Sequence, residues 1–365
     1  MVVMSSRASH VVLAGLLAAC DGGAATTPDG GGDDGPPVSC MHESADLVVA
    51  TLAGCAATGD ADGERVEARF DNPTNVTIGP DGMVYVADFE NGRVRAIDLD
   101  GSTRTVVFGL SFKHPFGLAF GPDGFLYVET DDNDRGAHSM ESGTIWRVDT
   151  SKPNGNATVI ARDLGRPRGM LVLPDGRIAL ADHMHHTISL LDPGSGGATL
   201  LAGSSGVPGH VNATGSAALF AQPYDLVQLP GGDLLVSELD NHRIRRVTLG
   251  GVVTDYAGTG AVGSLDGPLA VATFDGPQGL AIGSDGAVYI TDIRKYYIRR
   301  IKDGMVQTVA GDGTKGFLDA SDPRGARFYG IEGLDADATR LVIADGNGGD
   351  DMPYHRVRVV TLSAL

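Results

Sequence analysis

Short apolar runs of strand type alternate with turn residues along most of this chain. Residues 274–311 show the pattern most clearly, because four such runs, QGLAI, AVYIT, YIRRI and VQTVA, follow one another there. Asp285-Gly286 and Asp303-Gly304 mark two of the connections as tight hairpin turns. The pattern predicts four antiparallel strands, which form a small sheet that cannot bury both of its faces alone.

The same unit recurs along the chain. A complete copy has an opening proline motif, then a Gly-containing turn, an apolar strand that usually ends in an acidic residue, a strand that is usually rich in Arg, and a closing strand. The first five units start at prolines spaced 42, 52, 56 and 54 residues apart, namely Pro73, Pro115, Pro167, Pro223 and Pro277. A period of about 50 residues with four strands per unit is typical of a β-propeller.

The sixth unit, which begins near Glu332, lacks its fourth strand. The segment 46–54 reads DLVVATLAG and matches GVVTDYAG and MVQTVAG, the fourth strands of two other units. We expect this segment to complete the last blade beside residues 356–360 and to close the ring. The predicted fold is therefore all-β: a six-bladed β-propeller of four-stranded blades over residues 46–365, closed by the N-terminal strand.

The units resemble NHL repeats over nearly the whole of residues 46–365. The resemblance is strongest in the first, fourth and fifth units, for example in Tyr85-Val86-Ala87-Asp88 and in the Asn-x-Arg-Ile-Arg motif that starts at Asn241. The second and third units depart from it, with Thr130 in place of the acidic residue and Ser189 within the Arg-rich strand. The resemblance implies a six-bladed propeller used mostly as a binding platform, and it implies no activity by itself.

The first 45 residues differ in composition from the repeats. Residues 1–19 contain a short apolar run that fits a secretory signal, and Leu17-Ala18-Ala19-Cys20 resembles a bacterial lipobox, in which Cys20 becomes the lipidated first residue. An ordinary signal peptide cut near Ala19 is the alternative. Residues 20–45 are rich in Gly, Asp and Pro, and are expected to form a disordered tether after the lipidated Cys20.

Removal of Cys20 from the count leaves Cys40 and Cys55 as an even pair in an oxidising compartment. We expect a disulfide between them, with two free thiols as the alternative. The chain is thus expected in the bacterial cell envelope, held by a lipid anchor on the extracytoplasmic side, either periplasmic or at the cell surface. Its formal net charge of −18 disfavours nucleic acid and anionic lipid headgroups as partners, so only the anchor should meet the membrane.

The alternation of strand direction predicts which residues surround one mouth of the central channel. The residue after each opening proline starts an innermost strand, and the second strand of the blade returns to the same end. The residues expected to ring this mouth vary in chemistry between otherwise regular repeats: Thr74, Phe116, Arg168, Tyr224, Gln278 and Glu332. Such variation favours a ligand surface over a set of merely solvated rim residues.

Two groups of side chains suggest metal binding. Asn75 and Asp225 stand where other units have Gly, and with Glu332 they would form an oxygen-rich set on the axis that suits Ca²⁺, as in six-bladed lactonases. His183, His185 and His186 form the densest set of nitrogen ligands, although an exposed polar loop is the expected interpretation. The acidic residues that end the second strands are expected to cap turns or pair with Arg rather than to bind metal.

A zinc-dependent lyase is disfavoured by the positions of the histidines. Peptide-amidating lyases resemble NHL propellers and place zinc-binding His at the starts of the innermost strands, but none of the six starts here is His, and His114 precedes its proline. The sequence predicts a non-catalytic binding or scaffolding module for a protein, peptide or glycan, with no cofactor required. The alternative is a calcium-dependent lactonase-like hydrolase, or a lyase, working at the channel mouth.

Overall fold

The computed structural model describes residues 46–109, 111–346 and 354–365. The predicted signal segment, Cys20, the tether and Cys40 lie outside these residues. Within the part of the chain that is described, no helix is long and apolar enough to cross a membrane.

The described residues form β-strands joined by short connections and five single-turn 3-10 helices. The helices are Pro153–Asn156, Gly215–Ala217, Ile293–Lys295, Pro323–Gly325 and Leu362–Ala364. The strands are β1 (Val49–Cys55), β2 (Gly63–Glu64), β3 (Pro73–Ile78), β4 (Val84–Asp88), β5 (Arg93–Ile97), β6 (Ser102–Phe108), β7 (Pro115–Phe120), β8 (Leu126–Thr130), β9 (Thr144–Val148), β10 (Thr158–Ala161), β11 (Pro167–Val172), β12 (Ile178–Asp182), β13 (Thr187–Asp192), β14 (Gly197–Gly203), β15 (Pro223–Gln228), β16 (Leu234–Glu238), β17 (Arg243–Val247), β18 (Val253–Ala257), β19 (Gly267–Pro268), β20 (Pro277–Ile282), β21 (Val288–Asp292), β22 (Tyr297–Lys302), β23 (Met305–Ala310), β24 (Gly330–Ala336), β25 (Arg340–Gly346) and β26 (His355–Thr361).

These strands form six antiparallel sheets around one axis. Five sheets use consecutive strands, β3–β6, β7–β10, β11–β14, β15–β18 and β20–β23, with β2 and β19 added to the outer edges of the first and fifth. The innermost strands β3, β7, β11, β15, β20 and β24 contact one another in that order, and β24 contacts β3. The predicted six-bladed β-propeller of four-stranded blades is therefore confirmed.

The sixth sheet combines the two ends of the described chain. Its strand order is β1-β26-β25-β24, and Val49 lies opposite Val360 while Cys55 lies opposite His355. Cys55 is buried and disulfide-bonded. The predicted partner, Cys40, is outside the described residues, so the pairing of Cys40 with Cys55 stays a prediction.

The apolar core lies between the blades. Six clusters of buried apolar side chains each join two consecutive blades, and the cluster between the third and fourth blades, for example, contains Ala181, Phe220 and Val236. Each sheet thus covers both of its faces with its neighbours, which is the burial that a single sheet lacks.

Four blades share a buried node of one Arg, one carboxylate and one Phe. The Arg lies on the third strand, is fully buried, and meets the carboxylate that ends the second strand at 2.9–3.0 Å. Its guanidinium also lies 5.1–5.4 Å from the ring centroid of a buried Phe. The four nodes are Arg95–Asp88–Phe70, Arg245–Glu238–Phe220, Arg299–Asp292–Phe274 and Arg358–Asp345–Phe328.

The second and third blades, which depart from the repeat, replace this node. Trp146 takes the Arg position of the second blade, and its indole Nε1 donates to Thr130 Oγ1 at 2.8 Å. Ser189 takes it in the third blade, where Asp182 instead accepts from the backbone N–H groups of Met184 and His185. The acidic strand ends therefore have the structural role that was expected of them.

The glycine that follows Ala at the end of a fourth strand is required by geometry. Gly203 has φ +101°, and a Cβ there would lie 2.4 Å from the carbonyl oxygen of His186. Gly311 has φ +98°, and its Cβ would lie 2.3 Å from the carbonyl oxygen of Tyr296. Only Gly accepts both this left-handed conformation and the close approach, which explains the recurring Ala-Gly.

Candidate functional site

The residues predicted to ring the mouth lie at equivalent positions, at the starts of the six innermost strands. Several of them meet across the channel. The Phe116 and Tyr224 rings are 5.8 Å apart between centroids, in an edge-to-face arrangement, and Tyr224 Oη donates to Glu332 Oε2 at 3.4 Å. The Arg168 guanidinium lies 4.0 Å from the centroid of the Phe116 ring. These contacts join the second, third, fourth and sixth blades into one aromatic and charged cluster on the axis.

The remaining two predicted residues are placed differently. Gln278 is buried and lines the same end of the channel beside Tyr224 and Glu332, and its Oε1 has no hydrogen-bond partner among the described residues. Thr74 is also buried, with its Oγ1 likewise unpartnered within the described chain, but it does not line the space that Gln278, Tyr224 and Glu332 share.

A buried carboxylate from the loop after β8 holds Arg168. Asp131 follows β8 and is fully buried, and its Oδ2 lies 3.0 Å from Arg168 Nη2 and also binds Arg166. Two further nitrogens of Arg168, Nε and Nη1, have no hydrogen-bond partner among the described residues. The guanidinium is thus fixed at one end while part of its donor capacity is unused.

Glu129 is a buried acid that sequence reasoning missed. It is fully buried, and neither of its carboxyl oxygens has a hydrogen-bond partner within the described residues. Burial, and next the neighbouring Asp131 carboxylate, raise the pKa of Glu129 well above its usual range. One signal was visible: the equivalent positions in the other blades hold only Ala, Ser or Thr.

The three predicted calcium ligands do line one small cavity on the axis, together with Phe116, Arg168 and Tyr224. Their oxygens, however, already bind the backbone: Asp225 accepts from the N–H groups of Leu226 and Leu280, both at 2.8 Å, and Asn75 accepts from Val76 N–H at 2.8 Å. The Arg168 guanidinium in the same cavity also opposes a cation. The residues therefore fit Ca²⁺ poorly, and the calcium site stays a prediction.

Burial changes the protonation of the acids in this cavity. It raises the pKa of Glu332 to about 7, although the nearby Arg168 lowers it, and it raises the pKa of Asp225 to about 7. Burial and the Glu332 carboxyl together raise the pKa of Tyr224 well above its usual value, so its phenol remains a donor. At neutral pH the mouth therefore holds acids that change charge readily.

A wider depression opens outside this cavity, with a volume of about 430 Å³. It brings residues from the innermost strands together with residues from the loops that follow the second strands, as the strand directions predict. Its walls include His183, Tyr224, Gln278, Tyr296, Tyr329 and Glu332.

The three histidines of the third blade do not converge. His183 Nδ1 lies 2.9 Å from the Arg166 carbonyl oxygen, and burial, followed by the charge of Arg168, lowers its pKa to about 4. His185 lies between Asp182 and Glu141, at 2.7 and 3.0 Å. His186 Nδ1 accepts from Gln222 N–H at 3.1 Å, which joins the third blade to the fourth. Each imidazole thus has its own partner, and only His183 belongs to the mouth.

Comparisons with known proteins agree with this geometry. The NHL-repeat family model matches residues 70–97, which run from the loop before β3 to the end of β5. The chain is a six-bladed β-propeller, and its residues 70–97 match the NHL repeat. Its fold is similar to a structural genomics protein of unknown function from Bacteroides thetaiotaomicron, with a TM-score of 0.68 and 21% identity over 86% of this chain and 75% of that one.

Two further proteins resemble this propeller. An auxiliary nutrient binding protein from Bacteroides thetaiotaomicron has a TM-score of 0.67 and 18% identity, over 86% of this chain and 75% of that one. Protein SUPPRESSOR OF QUENCHING 1, chloroplastic, from Arabidopsis thaliana is 25% identical over 276 residues, which cover 67% of this chain and 26% of that protein. The propeller therefore spans about a quarter of the plant protein's length, and the structural likenesses show the fold alone.

Proposed function

We propose that this propeller is a non-catalytic binding module of the bacterial envelope, and that it takes a glycan segment into the depression at the channel mouth. The observation that carries the proposal is the combination found there: aromatic rings beside buried polar atoms that lack partners within the described chain. The lipobox-like Cys20 and the similarity to a protein described as nutrient-binding support an extracytoplasmic binding role.

The unpartnered polar atoms are the strongest argument. A buried donor or acceptor without a partner costs about 1–3 kcal/mol. Gln278 Oε1 belongs to the depression, and Nε and Nη1 of Arg168 belong to the small cavity beside it. A ligand that carries hydroxyl groups offers both donors and acceptors, and so would satisfy both kinds of group. Such a ligand would supply the hydrogen bonds that these atoms lack within the described chain.

Shape and wall chemistry favour a glycan over the other partner classes. The depression of about 430 Å³ lies within the range of small-ligand pockets, roughly 300–1,000 Å³, whereas a protein partner would need about 800 Å² of matching surface. Tyr224, Tyr296 and Tyr329 line it with aromatic surface. The C–H faces of a sugar ring pack well on such surfaces while its hydroxyls reach the polar atoms between them.

The test is a panel of neutral and acidic oligosaccharides screened by thermal shift, followed by calorimetry of the hits. Gln278→Ala should weaken a hit by at least tenfold, which is about 1.4 kcal/mol. The matched control is Lys302→Ala, in a second depression of similar volume that contains Asp285 and Lys302 instead. Loss of binding only in Lys302→Ala would refute the mouth as the site.

The same preparation separates binding from catalysis. We expect no turnover of lactones or esters, with or without added Ca²⁺, and recovery of the bound oligosaccharide unchanged. Hydrolysis or elimination that Glu332→Gln abolishes would replace the proposed binding role with an enzymatic one.

A further inference from the structure

The second blade carries an insertion at the same end of the propeller as the mouth. The loop between its second and third strands has 13 residues (131–143), whereas the equivalent loops of the first, third, fourth and fifth blades have four. This extra length does not extend a strand or add to the core, so it requires its own explanation.

The inserted loop is held in a defined shape. Asn133 Oδ1 accepts from the backbone N–H groups of Arg135 and Ala137, both at 3.0 Å. Arg162 donates twice to the Asp134 carboxylate, at 2.7 and 2.6 Å. Asp132 and His138 pair through an isolated β-bridge. The loop therefore presents fixed side chains.

Three of the side chains so placed converge on one point. His138 Nδ1 lies 2.6 Å from Asp132 Oδ1, and His114 Nδ1 lies 2.7 Å from the same oxygen. His114 precedes Pro115 with φ +50°, a left-handed conformation that turns it towards the loop. The two imidazole centroids are 5.2 Å apart. The carboxylate is largely buried, while both imidazoles are partly exposed.

We propose that His114, Asp132 and His138 bind a divalent transition-metal ion, with Zn²⁺ the best match. Two imidazole nitrogens and one carboxylate oxygen, with a coordination position left for water, are an ordinary zinc donor set. The candidate ligand atoms of the three residues all lie within 4.8 Å of one another. A second carboxylate is close, since Glu90 Oε2 lies 3.9 Å from His114 Nε2.

The adjustment that the ion requires is small. Ligand bonds of about 2.0–2.2 Å at tetrahedral angles set ligand atoms a little over 3 Å apart. The two imidazole nitrogens lie 2.6 and 2.7 Å from Asp132 Oδ1. The partly exposed imidazoles only need to move outwards by a fraction of an ångström. The Asp132 carboxylate contacts both rings and so already faces the position that the ion would take.

The site is separate from the proposed glycan depression but lies close to the mouth. The ring of Phe89 lies 4.9 Å from the imidazole of His114 and 6.2 Å from the ring of Phe116, between centroids. Glycan binding and metal binding therefore use different side chains, and each proposal can fail alone.

The experiment is a titration of the tag-free protein, first treated with a chelator, with Zn²⁺ by calorimetry and with Co²⁺ by visible absorption. We expect one equivalent of Zn²⁺ at micromolar affinity or tighter, and the intense visible bands of four-coordinate Co²⁺. His138→Ala should weaken Zn²⁺ at least tenfold and abolish those bands. His114→Asn, which keeps a residue suited to positive φ, should do the same without disturbing the loop.

His210→Ala is the matched control, because His210 is another exposed imidazole paired with a carboxylate, 2.7 Å from Asp255. It should leave both titrations unchanged. No stoichiometric binding by the parent protein, or equal binding by His138→Ala and His114→Asn, would overturn the proposal. Binding lost in His185→Ala but kept in those two variants would assign the metal to the third blade and also overturn it.

Discussion

The repeat pattern places individual residues at the channel mouth but does not determine their pKa values. The repeat specifies where Glu332, Arg168 and Tyr224 lie along their strands, and burial there then changes their chemistry. Glu332 is half-buried and close to Tyr224, and burial raises its pKa to about 7. A group with such a pKa links the stability of the fold to pH in the physiological range.

We predict that this linkage lowers stability as the pH rises. The folded pKa of about 7 exceeds the ordinary value of 4.5, so the folded state holds the proton more tightly. Its contribution is fully present below pH 4.5 and is lost as the pH rises through 7. At about 1.4 kcal/mol per pKa unit, the loss between pH 5 and pH 8 should reach at most about 3 kcal/mol. Denaturant unfolding at both pH values checks this, and Glu332→Gln should remove that part of the slope; an unchanged slope would contradict the assignment.

Glu129 gives a second prediction at this scale. Burial and Asp131 raise the pKa of its carboxyl well above the usual range, so we expect Glu129→Gln to replace a protonated carboxyl with a neutral amide of similar shape. The free energy of unfolding should change by less than about 1 kcal/mol. By contrast, Glu238→Gln, which removes the carboxylate 2.9 Å from the buried Arg245, should cost about 3–5 kcal/mol. Equal losses in the two variants would show that Glu129 is ionised.

At the scale of the strand, two neighbouring arginines of β17 should behave very differently. Arg245 is fully buried between Glu238 and Phe220, whereas Arg246 is half exposed and pairs with Asp233 at the surface. Arg245→Leu leaves a buried carboxylate without its partner and should cost about 3–5 kcal/mol. Arg246→Leu should cost no more than about 1 kcal/mol. Thermal and denaturant unfolding measure both, and similar losses would refute the structural role of the node.

Strands and turns were predictable because each blade repeats the same local signals. The Asp-Gly turns, the Arg-rich third strands and the Ala-Gly ends each have a local physical cause, and the position of Phe116, Tyr224 and Glu332 on one mouth followed from strand direction alone. The partners of Glu129, Asp131 and His114 were not predictable, because each lies on another blade or on an inserted loop. Such contacts depend on how blades pack, which no single repeat encodes.

At the scale of the whole molecule, the sixth blade is the place where the ring of blades closes. The other five blades each contain a fourth strand that follows the third in sequence, while the sixth takes β1, from the opposite end of the described chain. Val49 and Ala53 of β1 are fully buried, and β1 pairs with β26 along its length. Without it, β26 would present an unpaired edge and uncovered apolar side chains.

We therefore predict that deletion of Val49–Cys55 prevents cooperative folding. Burial of each large apolar side chain is worth about 1.5–3 kcal/mol, so the loss of β1 approaches the typical total stability of about 5–15 kcal/mol. Size-exclusion chromatography and thermal melting would report it as aggregation or a lost transition. Deletion of residues 24–37, within the predicted tether, is the control and should leave the melt unchanged.

Relocation of the strand distinguishes the loss of this pairing from a general effect of truncation. β1 runs antiparallel to β26, with Val49 opposite Val360. The same segment attached after β26 through an Asp-Gly hairpin would also run antiparallel to β26, as the fourth strand of each other blade does to its third strand. This permuted chain should recover a cooperative melt, because it restores the blade with a local connection. Two outcomes would show that ring closure rests on something other than the β1–β26 pairing. In the first, the deletion variant melts like the parent chain. In the second, the deletion variant and the permuted chain both fail to fold.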